Sequence, residues 1–364
     1  MVDLLLPACI ALGFALGIIA GLVPGLHLNN FAAMLLAISP QLFAWGLSPF
    51  EVAGIILSAS ISQTFFDAIP AIFLGAPDSE AALTVLPGQR LMLEGRGIEA
   101  VRLSALGSAG SMIFALFLII PLSWMVGSYC DYLPKYLGVL LLGIAIMMIR
   151  SERGPWIEGQ GAWVHYKYKD IAALLFLTSG LLGTFAFDHE DLASSPLALE
   201  PQVLLPLLSG IFGASSLLLS FSAETRVPEQ KESEIQLPAS ALARALFSGG
   251  LGGSVVAWIP GVSPSVAAIT ARLGSVPSPE EFLVSIAGVN SANALFSLVA
   301  LYVIDKPRSG AAAAIQDLMA LDQSALSQMI IIVVIVTAAS YLACIAAARL
   351  AGRAIVRLNY RLLC

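Results

Sequence analysis

Two stretches of this chain place a proline-glycine break directly before hydrogen-bonding side chains. In "GLVPGLHLNN" (21–30), Pro24 and Gly25 precede His27, Asn29 and Asn30. In "WIPGVSPSVAAI" (258–269), Pro260 and Gly261 precede Ser263 and Ser265. A proline inside a helix removes a hydrogen bond and costs roughly 3 kcal/mol. A helix that restarts after such a break presents unpaired N–H groups and a partial positive charge at its new N-terminus. Those groups suit an anion, which neutral donors and helix dipoles bind without a cationic side chain. Two such restarts meeting near a bilayer midplane would form a polar chamber of the kind transporters use.

A second set of polar residues lies in neighbouring apolar runs. Ser60, Gln63 and Asp67 precede Pro70, and Asn290 and Asn293 occupy a similar place in the second half. These side chains extend the donor set for an anion. Asp67 is a coupling candidate for H+ or Na+, because an Asp in a membrane span costs roughly 2.5–3.5 kcal/mol on insertion scales and is kept for function. The alternatives stay open: Asp67 as an interfacial or capping acid, the asparagines as interhelical glue, and the breaks as plain proline kinks.

The elements that must hold these residues are membrane helices. The chain has 364 residues, of which 58% are hydrophobic and 12% charged, with a mean hydropathy of +0.88. A soluble domain carries about twice that charged fraction. Apolar runs of bilayer-spanning length recur at 105–126, 135–149, 170–187, 203–222 and 325–348. The first apolar stretch lacks the basic start and cleavage-like site of a signal peptide and reads as part of the fold. Four scattered cysteines and three histidines give no metal or disulfide spacing, so no cofactor is expected. No basic patch interleaved with aromatics points to nucleic acid.

Residues 13–26, "GFALGIIAGLVPGL", read again at 249–262 as "GGLGGSVVAWIPGV", a shift of 236 that carries Pro24 onto Pro260. A second block repeats at a shift of 230: Ser48, Pro49 and Glu51 match Ser278, Pro279 and Glu281, and Pro77 and Ser79 match Pro307 and Ser309. Arg90, Arg96 and Arg102, then Lys167 and Lys169, then the Arg-rich tail from Arg349, should face the cytoplasm, and the acidic loop 187–202 should face outside. That assignment makes the two repeats run in opposite directions. The expectation is an all-α polytopic membrane protein with two inverted-topology repeats, Pro-Gly broken or re-entrant helices and about 8–11 membrane segments. The first repeat covers 1–126, connecting spans cover 127–240, and the second repeat with a cytoplasmic basic tail covers 241–364. The expected location is the plasma membrane.

"FLGAPDSEAALTVLPGQRLMLEGRGIEAVRLSALGS" (73–108), with "GLVPGL" and "WIPGVSPSVAAI", resembles the TctA-type family, the large membrane subunit of tripartite tricarboxylate transporters. Within it the chain is most similar to a compact, single-protein archaeal branch. The resemblance implies a permease for a small organic anion, with the lipid bilayer as its other partner. The short chain and the "GAPDS" turn leave open the tricarboxylate substrate, a periplasmic binding subunit and homo-oligomerisation. The alternative reading is a polyprenyl-phosphate translocase, disfavoured because only Arg272 lies near a broken segment to pair a phosphate. A non-transporting scaffold would not need two mirrored breaks. With no HExxH, paired catalytic Asp or Gly-x-Ser-x-Gly motif, an enzyme is not expected.

Overall fold

The computed structural model describes residues 5–23, 28–75, 84–129, 133–152, 163–189, 228–232, 234–259, 262, 266–268 and 278–355. Their regular structure is helical: α1 (Leu5–Leu22), α2 (Leu28–Ala44), α3 (Pro49–Phe66), α4 (Ala68–Phe73), α5 (Val85–Leu93), α6 (Gly97–Tyr129), α7 (Leu133–Ser151), α8 (Trp163–Asp188), α9 (Ala239–Val256), α10 (Pro279–Ile304), α11 (Gly310–Leu318) and α12 (Gln323–Ile355). Six described helical stretches are long and apolar enough to cross a membrane: Leu5–Leu22, Pro49–Phe73, Gly97–Ser128, Tyr166–Asp188, Pro279–Ile304 and Gln323–Ile355. The expected spans at 105–126, 170–187 and 325–348 fall inside them, 135–149 falls inside α7, and 203–222 lies outside the described residues.

The chain divides into two compact units. One comprises residues 1–135 and 220–364, and the other 136–219. In the second, α8 carries exposed Leu174, Leu181 and Phe185 along its length. In the first, α3 with α4 is buried from Glu51 to Phe73.

Within the larger unit the sequence repeat is also a repeat of elements. Helices α1 and α9 each have 18 residues, α5 and α11 each have 9, and α6 and α12 each have 33. Helices α3 and α10 begin identically. The Glu51 amide donates to Ser48 Oγ while Glu51 Oε2 accepts from the Ser48 amide at 2.6 Å. The Glu281 amide donates to Ser278 Oγ at 3.2 Å while Glu281 Oε2 accepts from the Ser278 amide at 3.4 Å. Each is a capping box with proline in the first helical turn.

The same correspondence fixes how the first two long helices of each half pack. A side chain on Gly13 would strike the Ile55 backbone, and one on Gly17 the Ala59 backbone. In the second half Gly249 meets Ser285 and Gly253 meets Val289. Ile55 and Ser285 differ by 230, as do Ala59 and Val289, so the same backbone-to-backbone approach recurs. Both pairs run parallel, because steps of four on one helix match steps of four on the other. Hydroxyls lie between them: Ser62 Oγ is 3.1 Å from the Phe14 carbonyl, which competes for its one proton with the Ser58 carbonyl of its own helix at 2.9 Å, and the Ser248 and Ser285 hydroxyls pair at 2.9 Å.

Contacts along the helices also give their directions. Gly107 lies against Val284 and Gly127 near Val303, so α6 and α10 run the same way. Gly54 lies near Ile332, and Cys344 Sγ donates to the Phe65 carbonyl at 3.2 Å, so α3 and α12 run the same way. The end of α4 meets the start of α6 through Phe73 and Gly97, and the end of α12 meets it through Gly352 and Ile98. Arg96, just before α6, pairs with Glu280 at the start of α10 at 2.9 Å. Helices α3 and α12 therefore finish where α6 and α10 begin.

Candidate functional site

At the centre of the larger unit its most buried helix is interrupted for one residue, Asp67, which keeps helical dihedral angles (φ −61°, ψ −26°). Helix α3 stops at Phe66, turns at Asp67 and resumes as α4. The Asp67 amide still donates to the Gln63 carbonyl at 3.0 Å, and the Asp67 carbonyl still accepts from Ala71 at 3.2 Å. Pro70 has no N–H, so the Phe66 carbonyl four residues earlier loses its helical donor. That loss accounts for the turn at this level.

Helix α10 supplies the partners. Asn290 Nδ2 donates to Asp67 Oδ2 at 3.3 Å, and the Thr64 and Ser291 hydroxyls meet at 3.0 Å. Thr64 Oγ1 also lies 2.9 Å from the Ile61 carbonyl. A carbonyl can only accept, so Thr64 donates its single proton there and Ser291 donates to Thr64. One repeat thus contributes the carboxylate and a hydroxyl, and the other an amide and a hydroxyl.

A small cavity opens beside this junction, lined by Thr64, Asp67, Ala68, Thr84, Ser104, Ile286, Ala287 and Asn290. Its open volume is about 10 Å³. Asp67 is 8% exposed and Asn290 6%. None of these lining residues is cationic. Among the described residues no three His, Cys, Asp or Glu side chains gather as a metal set. The chemistry on offer is one carboxylate among neutral oxygens.

The other sequence-predicted residues distribute as follows. Ser60 and Gln63 are buried on α3, one turn or more before Asp67, and are not among the residues lining the cavity. Asn293 is half-buried on the next turn of α10, its backbone against Gly253. Asn29 and Asn30 lie in the first turn of α2, with side chains outside the described set. Pro24, Gly25, His27, Pro260, Gly261, Ser263 and Ser265 lie outside the described residues. The described chain does approach both breaks, at Val23 and Ile259. Just before the second, Trp258 packs edge-on against Phe296 at 6.0 Å, and its buried Nε1 has no partner among the described residues. Thr84 and Ser104 were not expected at the site. They are hydroxyls in a chain rich in them, and only the fold brings them to Asp67.

At the shared end of α4, α6, α10 and α12, charge is concentrated. Arg96 forms a bidentate pair with Glu99, at 2.9 and 2.7 Å, and also reaches Glu280 at 2.9 Å and Glu94 at 3.6 Å. Its hydrogen bonds to Glu99 hold the guanidinium above its usual range, so it stays charged. Residues 228–232 and 234–238 lie across this end: Lys231 N–H donates to the Gly95 carbonyl, and Gln236 N–H donates to Glu99 Oε1, each at 3.0 Å. Arg244 pairs with the capping Glu281 at 2.8 Å.

The tripartite tricarboxylate transporter TctA family model matches residues 8–364. An uncharacterized protein of Methanocaldococcus jannaschii is 26% identical over 313 residues, covering 84% of this chain and 71% of that protein. No solved structure matches. Because the family match runs through both sets of repeated helices and the segments between them, the chain belongs to the tripartite tricarboxylate transporter TctA family.

Proposed function

We propose that this protein is a secondary-active permease for a small organic anion, a carboxylate, acting at the plasma membrane and coupled to H+ or Na+. The anion binds near the midplane between the two Pro-Gly segments. Backbone N–H groups, Asn29, Asn30, Ser263, Ser265 and Asn293 hold it, with His27, Ser60 and Gln63 in reach. Asp67 and Asn290 link that site to the coupling ion. The observation that carries the reading is the buried Asp67–Asn290 contact, one residue from each repeat, at the break in α3. A buried carboxylate among neutral donors in a membrane core is expensive and is kept where ions or protons move. The opposite directions of α3 and α10 support reading the halves as inverted repeats, which allow one half to rock against the other around a fixed site. Neutral donors must carry the affinity for the anion, and an accompanying cation offsets about 2.3 kcal/mol per charge per 100 mV of membrane potential. The basic tail is taken as cytoplasmic.

A thermal-shift screen of the purified protein against mono-, di- and tricarboxylates and phosphates tests the substrate class. Stabilisation by one carboxylate family, weakened in Asn293→Ala, is expected. Stabilisation by phosphates alone would move the assignment to a phosphate carrier.

A further inference from the structure

We infer that the cavity at the α3 break is a sodium-ion site, with Asp67 as its one carboxylate and Thr64, Thr84, Ser104 and Asn290 as neutral oxygen ligands. The inference rests on the reading of the chain as an ion-coupled permease, and it specifies which ion and which ligands.

Size comes first. About 10 Å³ of open space is near the roughly 10–15 Å³ that one water needs. A carboxylate substrate does not fit there, but a bare monovalent cation does. Charge comes second. Among the described residues lining the cavity one, Asp67, is acidic and none is basic, a setting that favours a cation. A divalent ion would leave an uncompensated charge in a desolvated place, which is costly. Ligand type comes third. Carboxylate, hydroxyl and amide oxygens suit a hard cation. The side chains converge from separate elements: Thr64 and Asp67 at the end of α3, Thr84 before α5, Ser104 on α6 and Asn290 on α10. Thr84 stands at the N-cap of α5 but makes no side-chain capping bond, and it is 4% exposed. A capping threonine normally spends its hydroxyl on the helix, whereas Thr84 makes no such bond and lines the cavity. Finally, Pro70 withholds the helical donor from the Phe66 carbonyl next to Asp67, and freed backbone carbonyls are among the groups with which transporters hold coupling ions.

A proton carried by Asp67 would need Asp67 and its neighbour Asn290, and would be indifferent to Thr84 and Ser104. That difference gives the test. The full chain in nanodiscs is titrated with Na+ at constant ionic strength, with choline and K+ as replacements and at two pH values, reading thermal unfolding and bound radiolabelled sodium. Saturable, sodium-selective stabilisation is expected, lost in Asp67→Asn. Thr84→Val and Ser104→Ala should each weaken sodium binding tenfold or more while unfolding at the wild-type temperature in choline. If Asp67→Asn does not fold, the other two variants still decide. Equal responses to Na+, K+ and choline, or sodium binding unchanged in Thr84→Val and Ser104→Ala, would overturn the sodium site. Carboxylate binding measured on the same samples separates this failure from failure of the transporter reading, because a permease coupled to protons would still bind its anion without sodium.

Discussion

Arg96 is the residue on which the larger unit's charged end depends. It reaches three carboxylates, and Glu99 among them is fully buried. Removing one partner from such a pair leaves an uncompensated buried charge, a loss of about 3–5 kcal/mol. Arg96→Met should therefore lower the unfolding temperature sharply in detergent, and Arg96→Met with Glu99→Met should recover much of it. A double variant no better than the single one would show that the guanidinium matters through packing instead. The sequence had placed Arg96 as a topological marker only, because its three partners are dispersed between positions 94 and 280. Asp67 was legible for the opposite reason: a carboxylate inside an apolar run is conspicuous wherever the chain folds. Its Asn290 partner came from the repeat. Thr84 and Ser104 had no comparable signal, since hydroxyls are inexpensive within helices and occur throughout this chain.

Helix starts and helix contacts are where the two halves agree most closely. Ser48 and Ser278 cap α3 and α10 with the same pair of bonds. Ser48→Ala and Ser278→Ala should each destabilise by about 1 kcal/mol, measurable as similar shifts in unfolding temperature. A shift for one and none for the other would mean that the matching caps are not energetically equivalent. Gly17 and Gly253 sit against the backbones of Ala59 and Val289, which cannot move aside as a side-chain tip would. Leucine at either place should cost about 3 kcal/mol or more, whereas Gly143→Leu, in open space, should be neutral. Unchanged stability in Gly17→Leu would refute the close approach of α1 and α3. These elements were readable because caps and small residues are punctuation that local sequence records. The turn at Asp67 was not, because Pro70 acts on a carbonyl four residues earlier and the apolar pattern runs straight through it.

The larger unit reverses the polarity of a soluble protein. Phe117, Ile120 and Trp124 lie outward on α6, while Ser58, Ser104, Ser108, Ser111, Ser285, Ser291 and Ser297 are buried. Lipid solvates the apolar exterior, and the interior can hold polar groups that meet one another across helices. That distribution was evident from hydropathy, and the repeated punctuation marked the matching helix starts at Ser48 and Ser278. Which helices meet was not, because α6 against α10 and α3 against α12 join one half to the other over long sequence separations. Those crossed contacts place the Asp67–Asn290 junction between the halves. The central claim is that an organic anion crosses the membrane through this molecule, held between the Pro-Gly segments and coupled to an ion at that junction. The direct measurement is substrate-induced current from proteoliposomes on a solid-supported membrane, with tricarboxylates and smaller carboxylates applied under sodium and proton gradients. A saturable current is predicted for the wild-type protein, with at least a tenfold loss in Asn290→Ala that unfolds at the wild-type temperature. Folded wild-type protein that gives neither current nor tracer uptake with any carboxylate, or an Asn290→Ala variant that transports as well as wild type, would contradict it.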